Sequence, residues 1–229
     1  MSLSKISVFW IMAAAFSLLL SGCSTPRQSN SGAPVTQTTH QAKSATPTQS
    51  KEKPQPSQES KPTQIYLDPN PSAGSARPMP GVSLHLSVND LRAQRFLLSI
   101  HHEGKEQAEL ITSANNVRQA IYKAVETNLE DRGIKLSDNA PNDLTIDIMA
   151  LRSKAEQKPF SYVAIDQVIL KATFKSAHRK VVRQYTASRR SSGSLEVDIS
   201  QQQNQLNQTL NAVLTGLLTD HKLLDQDNS

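Results

Sequence analysis

The side chains able to move protons, hold metals or attack carbonyls are few in this sequence, and their spacing is poor. His101, His102 and Glu103 stand together and carry metal-binding atoms. Neighbouring residues on a strand point to opposite faces, so the two imidazoles do not meet one ion. No HExxH spacing or cysteine pair accompanies them. They read as solvated edge histidines, and His85 reads the same way. Serine is abundant, yet no G-x-S-x-G elbow occurs. Asp143, Asp147 and Asp166 lie in extended patterns, whereas a glycosidase needs two carboxyls facing each other across a cleft. Asp166, set among apolar neighbours, reads as the ion-pair partner of an Arg or Lys on an adjacent strand. The sequence predicts no enzyme, no metal and no cofactor.

The densest chemistry is cationic. Lys171, Lys175, Arg179, Lys180, Arg183, Arg189 and Arg190 follow one another with no acid between them. On a hairpin, Lys171, Lys175, Arg183 and Arg189 would share a patch, flanked by Arg179 and Lys180, that attracts lipid phosphates, lipid A or an acidic protein. The plainer alternative is an edge hairpin whose cations discourage edge-to-edge association. A pI near 9.3 invites a nucleic-acid partner. From Gly81 onward, however, 18 Lys and Arg face 17 Asp and Glu, a net of +1. No nucleic-acid motif is present either, so that partner class is excluded.

A second kind of chemistry sits at the N-terminus. Lys5 precedes an apolar run from Ile6 to Leu20. That run is shorter than the roughly 20 residues a membrane-spanning helix needs, and reads as a secretory signal over residues 1–22. Leu20-Ser21-Gly22-Cys23 resembles the bacterial lipobox, in which the cysteine is diacylated, the signal is cut before it and the new terminus is acylated. Each buried methylene of such chains contributes about 0.8 kcal/mol, so several chains form a firm anchor. Ser24 in place of Asp implies, by the same resemblance, the outer membrane of a diderm bacterium with the domain facing the periplasm. Cys23 is the only cysteine, which excludes a disulfide or thiol catalysis in the folded part.

Ten of the twelve prolines lie between Pro26 and Pro80. Residues 23–80 therefore read as the lipidated cysteine and a disordered linker rich in Pro, Ser, Thr and Gln. Its ends would lie about 40 Å apart as a coil and roughly 175 Å apart fully extended. Ile65-Tyr66-Leu67 is its only apolar cluster, either docked onto the domain or free as a recognition strand.

Residues 81–229 form the predicted domain, large enough for one core. Val82, Leu84, Leu86 and Val88 alternate with polar residues as a half-buried strand does. Arg95–His102 and Ala108–Ile111 are further extended stretches. Ser113 would cap a helix carrying Val117, Ile121, Val125 and Leu129 on one stripe, which Gly133 ends. A strand over Leu144–Ala150 follows, then a loop at Gln157-Lys158-Pro159. Next comes a long strand, Tyr162–Lys175, apolar on both faces in its first half at Val163, Ile165, Val168 and Ile169, as in a central strand covered on both sides for part of its length. Val181–Arg189 returns from a turn at 177–180, and Gly193 breaks the sheet. Asp198 or Ser200 caps a last helix carrying Leu206, Leu210, Val213, Leu214, Leu217 and Leu218. The predicted class is α+β: an antiparallel-rich sheet with two helices packed on one face.

With the elements placed, the chain resembles the YajG family of uncharacterised bacterial lipoproteins. The residues that carry the resemblance are the lipobox, Asp90-x-Arg92, Leu129-x-x-Arg132-Gly133, Tyr162, Tyr185, Gly193 and Asn211-x-Val213-Leu214. The long linker departs from that pattern. The resemblance implies an outer-membrane lipoprotein with a compact α+β domain, and brings no catalytic residues. The expected function is a non-enzymatic binding or scaffold module for another envelope component, a protein such as a peptidoglycan synthesis machine in first place. This layout is similar to that of LpoB-type synthase activators. The alternative is a lipid- or lipopolysaccharide-handling accessory of an envelope transport system. The sequence names neither the partner nor an oligomeric state.

Overall fold

The computed structural model describes residues 63–72, 74 and 76–224. The expectations for the signal, for Cys23 and for the linker up to residue 62 lie outside them. In chain order the elements are β1 (Gln64–Ile65), β2 (Ser83–Asp90), β3 (Leu98–His102), β4 (Glu109–Ser113) and α1 (Val117–Asp131). They continue with β5 (Lys135–Leu136), β6 (Asp143–Lys158), β7 (Ser161–Lys175), β8 (Lys180–Ser194), α2 (Ile199–Thr219) and α3 (His221–Leu224).

β6 is the strand on which the sheet is built. One of its edges pairs antiparallel with β7 from Asp143↔Lys175 to Lys158↔Ser161. The other edge is divided: β2 lies parallel to the first half and β3 parallel to the second. β5 joins β2 in parallel, β4 joins β3 antiparallel, and β1 joins β4 in parallel. β8 pairs antiparallel with β7 and forms the far edge. The sheet is thus mixed, not antiparallel-rich. The cause is connection: β2 and β3 follow one another in one direction along an edge of β6, and β4 and α1 together carry the chain back before β6 starts in that same direction. Side-chain alternation reports which face is buried and carries no information on direction.

β6 also runs eight residues past its predicted end, through the expected loop at Gln157 and Lys158. A bulge between Ile148 and Ala150 shifts the register by one. Leu144, Ile146 and Ile148 before it, and Leu151, Ser153, Ala155 and Gln157 after it, are all buried. The change of phase and the polar Ser153 and Gln157 hid the second half from a period-two reading. β8 likewise passes through Gly193 without breaking. Gly193 lies opposite Tyr162, and a Cβ there would stand 2.4 Å from Tyr162 Cε1. Glycine lets the ring rest on the strand.

α1 and α2 cover the same sheet face, as expected, and α3 is a short third helix that buries Leu223 and Leu224. α1 buries Val117, Ile121, Val125 and Leu129. Its cap is Asn116, not Ser113: Gln119 N–H donates to Asn116 Oδ1 at 3.1 Å. At the other end Gly133 takes φ +81°, and Ile134 N–H donates back to Leu129 O at 3.1 Å. Asp198 caps α2, accepting from Ser200 and Gln201 N–H at 2.8 and 3.2 Å.

Order begins before Gly81. Ile65 and Leu67 are 0% and 1% exposed, and residues 65–72 lie as a strap along α2. Tyr66, Asp68, Asn70 and Ser72 donate their N–H groups to Gln203 Oε1, Asn207 Oδ1, Asn211 Oδ1 and Thr215 Oγ1 at 2.7, 3.0, 2.8 and 3.2 Å. The spacing explains the match. Four helical residues advance about 6.0 Å, and two residues of polyproline-like chain about 6.2 Å. Pro69 and Pro71 occupy the intervening positions and have no N–H to satisfy. Leu67 N–H goes the other way, to Asn115 Oδ1 at 3.0 Å, and Asn115 Nδ2 donates to Leu67 O at 2.8 Å. The strap is therefore fastened on one side by α2 and on the other by Asn115, in the loop that leads into α1.

Candidate binding face

The basic hairpin forms no single patch. β7 and β8 run in uninterrupted register, with Lys171 opposite Gln184 and Ala172 opposite Arg183. Alternation then puts Lys171, Lys175 and Lys180 on one face of the sheet and Arg183 and Arg189 on the face that the helices cover. Lys171 Nζ lies 3.7 Å from Asp147 Oδ2. Arg183 Nε lies 3.8 Å from Asp220 Oδ2, and Tyr185 Oη donates to that same oxygen at 2.7 Å. Burial, with the Asp220 carboxylate next to it, raises the Tyr185 hydroxyl well above its ordinary pKa. Arg189 donates to Gln208 Oε1. Arg179 donates to Leu223 O at 3.0 Å and stacks over Phe174 at 5.4 Å. Arg179, Arg183 and Arg189 thus fasten the sheet edge to α2 and α3.

Cations gather elsewhere. Among the described residues no helix covers the other sheet face, and at the β3 end it forms a cleft of about 640 Å³. Val163 and Ile165 are its floor; Arg152, Lys154, Lys158 and Arg190 stand around them. Among the described residues, Arg152 donates to neutral oxygens alone, Gln167 Oε1 at 2.9 and 3.2 Å and Gln94 Oε1 at 3.1 Å. Among the described residues, no carboxylate stands within 4 Å of Lys154, Lys158 or Arg190. Glu103 and Glu156 also reach the cleft wall without pairing to them. The apolar second face of β7, expected to be covered, has no cover among the described residues, and Ile165 is 42% exposed. His101 and His102 border the cleft on opposite faces of β3, and His102 Nε2 lies 3.4 Å from Glu109 Oε2.

The carboxylates are separated. Asp143 and Asp147 lie on the uncovered face, where Asp143 Oδ1 meets His85 Nδ1 at 2.9 Å and Asp147 accepts from Asn89 Nδ2 at 3.0 Å. Asp166 lies on the covered face, in a row with Ser153 and Arg189 on the adjacent strands. The ion pair expected for it is not formed, because Arg189 turns to Gln208 on α2. Asp166 is 1% exposed; its Oδ2 accepts from Thr209 Oγ1 at 3.5 Å, and its Oδ1 has no partner among the described residues. Gln202 Nε2 and Gln205 Oε1 beside it are in the same position. Burial raises the carboxyl's pKa, against lowering contributions from Ser153, Thr209 and Arg189.

A carboxyl whose folded pKa is raised stabilises the fold below its unfolded value, near 3.8, and loses that contribution as pH rises through the folded value. Asp166→Asn removes the buried charge and supplies donors. It is expected to raise unfolding free energy at pH 7.5 by about 1–2 kcal/mol, with a smaller gain at pH 4.5. Urea unfolding at both pH values checks this. A variant less stable than the parent at pH 7.5 would show that the carboxylate is needed.

No functionally curated protein matches the sequence. Among solved structures, the chain is similar to a protein of Xanthomonas campestris at 16% identity, with 71% of this chain and 95% of that one covered and a TM-score of 0.49. It is also similar to a minor lipoprotein from Acinetobacter baumannii at 12% identity, covering 59% and 85%, with a TM-score of 0.32. For the rare lipoprotein B from Shewanella oneidensis the identity is 11%, the coverage 62% and 99%, and the TM-score 0.36. Residues 69–225 match the model of a family described as uncharacterized lipoprotein, and this span runs from the second half of the strap through α3. The chain belongs to this family, Lipoprotein_16, of uncharacterised lipoproteins.

Proposed function

We propose that this lipoprotein is a tethered, non-enzymatic binding module, whose ligand is an anionic component of the bacterial envelope seated in the cleft of the uncovered sheet face. One observation carries the reading. Four cations surround a partly apolar floor, and three of them have no carboxylate within reach among the described residues. Cations left without a carboxylate partner gain from an anionic ligand and discriminate against cationic ones. The anchor is the acylated Cys23, the membrane is the outer membrane, and the linker sets the domain's reach into the periplasm. The narrower kinship to YajG rests on the residues quoted above. A protein ligand comes first, because the cleft is open and rimmed by charge on several sides. The bare Val163 and Ile165 favour a second reading, in which a lipid phosphate binds with an acyl chain on that floor.

The test is photo-crosslinking in cells, with the reactive residue placed at Lys154, Ile165 or Arg190 of the full chain and the adducts identified by mass spectrometry. A recurrent protein adduct from all three positions supports the first reading. Lipid adducts alone move the assignment to the second. The absence of adducts at these positions, with adducts arising from control sites on α1, would place the binding surface elsewhere.

A further inference from the structure

β8 is an edge strand of fifteen residues, bonded to β7 along one side. No described residue pairs with its other side. Two backbone bonds fix which of its amides face outward. At the turn, Ser176 N–H donates to Arg179 O, and beyond the strand's end Leu195 N–H donates to Phe160 O. The pairs 176/179 and 160/195 are therefore hydrogen-bonded pairs, and antiparallel alternation makes the odd-numbered residues of β8 the ones bonded to β7. The N–H and C=O groups of Val182, Gln184, Thr186, Ser188 and Arg190 point away from the sheet. Their side chains lie on the uncovered face, and Ser188 and Arg190 also line the cleft.

Natural edges of this length are commonly blunted by proline, by a bulge or by shortness. β8 has no proline, and its register with β7 is unbroken over fifteen pairs. What it does carry is charge of one sign: Lys180, Arg183, Arg189 and Arg190, with no acid. A second copy of β8 would bring the same four cations against these, so self-pairing is opposed. An acidic strand is favoured by the same charges. A row of alternating N–H and C=O groups spaced two residues apart is matched by a peptide backbone and by no lipid or polyphosphate.

We propose that β8 takes up an acidic, extended segment of a partner protein as an added strand, its acidic side chains reaching Arg190 and the neighbouring cleft. This inference rests on the reading of the cleft as a cationic binding site and assigns its ligand the form of a strand.

The experiment uses the full mature chain with Cys23→Ser, to keep it soluble, and a twelve-residue peptide of alternating Glu and Thr. The expected result is binding, together with at least tenfold slower hydrogen exchange at the amides of Val182, Gln184, Thr186 and Ser188. Thr186→Pro removes an outward N–H that has no described partner, and should weaken binding at least tenfold. Should that variant fail to fold by circular dichroism, Val182→Pro gives the decision, since its N–H also points outward and it lies near the turn, away from the cleft. Binding that shifts Lys154 and Ile165 without protecting the β8 amides, or that survives the variant, overturns the inference and leaves the cleft reading standing. Binding of inorganic polyphosphate but not of the peptide has the same meaning. Binding of neither overturns both.

Discussion

Replacing Asp90 by alanine is expected to lower the unfolding free energy by about 3–5 kcal/mol, a large part of a small domain's total. Asp90 closes β2, and the chain must leave the edge of β6 and rejoin it at Leu98. Arg92 makes that detour possible. Its Nε and Nη2 donate to the two carboxylate oxygens of Asp90 at 2.8 and 2.9 Å, and Nη1 reaches Leu151 O at 3.4 Å. The Arg92 side chain is 4% exposed, so removing its carboxylate leaves a guanidinium buried without a counter-charge. Arg95 adds a second, exposed contact at 2.6 Å to Asp90 Oδ2. The Arg92 hydrogen bond holds the Asp90 carboxyl below its ordinary pKa, in spite of partial burial. A depressed carboxyl contributes stability above the unfolded value, near 3.8, and loses it as pH falls through the folded value. The gap between parent and variant should therefore be full at pH 7 and shrink below pH 4. Urea midpoints at pH 7 and pH 3 measure it. A loss under 1 kcal/mol at pH 7 would mean that Arg92 finds another partner.

Removing the strap is expected to cost almost as much. A chain that starts at Ala76 gives up the burial of Ile65 and Leu67, each worth about 1.5–3 kcal/mol. It also leaves Gln203, Asn207 and Asn211 facing water, at little cost. Less the entropy regained by the freed segment, the expected loss is about 3 kcal/mol relative to a chain starting at Ser24. Thermal and urea unfolding of the two chains decide it. Asn207→Ala with Asn211→Ala should cost about 1–2 kcal/mol, the value of a few side-chain bonds. Equal stability of the long and short chains would show that the strap rests on the domain without holding it.

Much of this fold was legible because apolar residues keep a period. The stripes of α1 and α2 mark them as helices, alternation marks β2 and the first half of β6, and a run apolar on both faces marks β7. What escaped was what periodicity cannot encode. Strand direction follows from the return of the chain through β4 and α1, a property of connection and not of pattern. The second half of β6 was hidden by one bulge and by Ser153 and Gln157 in core positions. With it went the spacing of Arg152, Lys154 and Lys158, which would have marked a cationic face at two-residue intervals. The apolar second face of β7 is legible in the sequence, but apolar residues alone do not tell a covered face from an open cleft. In the basic hairpin, counting charges without assigning them to faces merged two sets of residues that the strand separates. The segments that carried the family resemblance, Asp90-x-Arg92 and Arg132-Gly133, prove to be fasteners. Arg132 donates to Arg77 O at 3.1 Å and to Leu218 O at 2.8 Å, tying the chain before β2 to the end of α2.

The rungs between the strap and α2 also bear on force. Successive N–H groups from Tyr66 to Ser72 meet successive side chains from Gln203 to Thr215, so strap and helix run in the same direction. The bonds lie across that direction. A pull applied at residue 63 along the strap axis loads all four rungs together, as in shear, and they must break at once. The same pull applied perpendicular to the axis would peel them one at a time. A domain fastened in this way resists traction best when it hangs in line with α2.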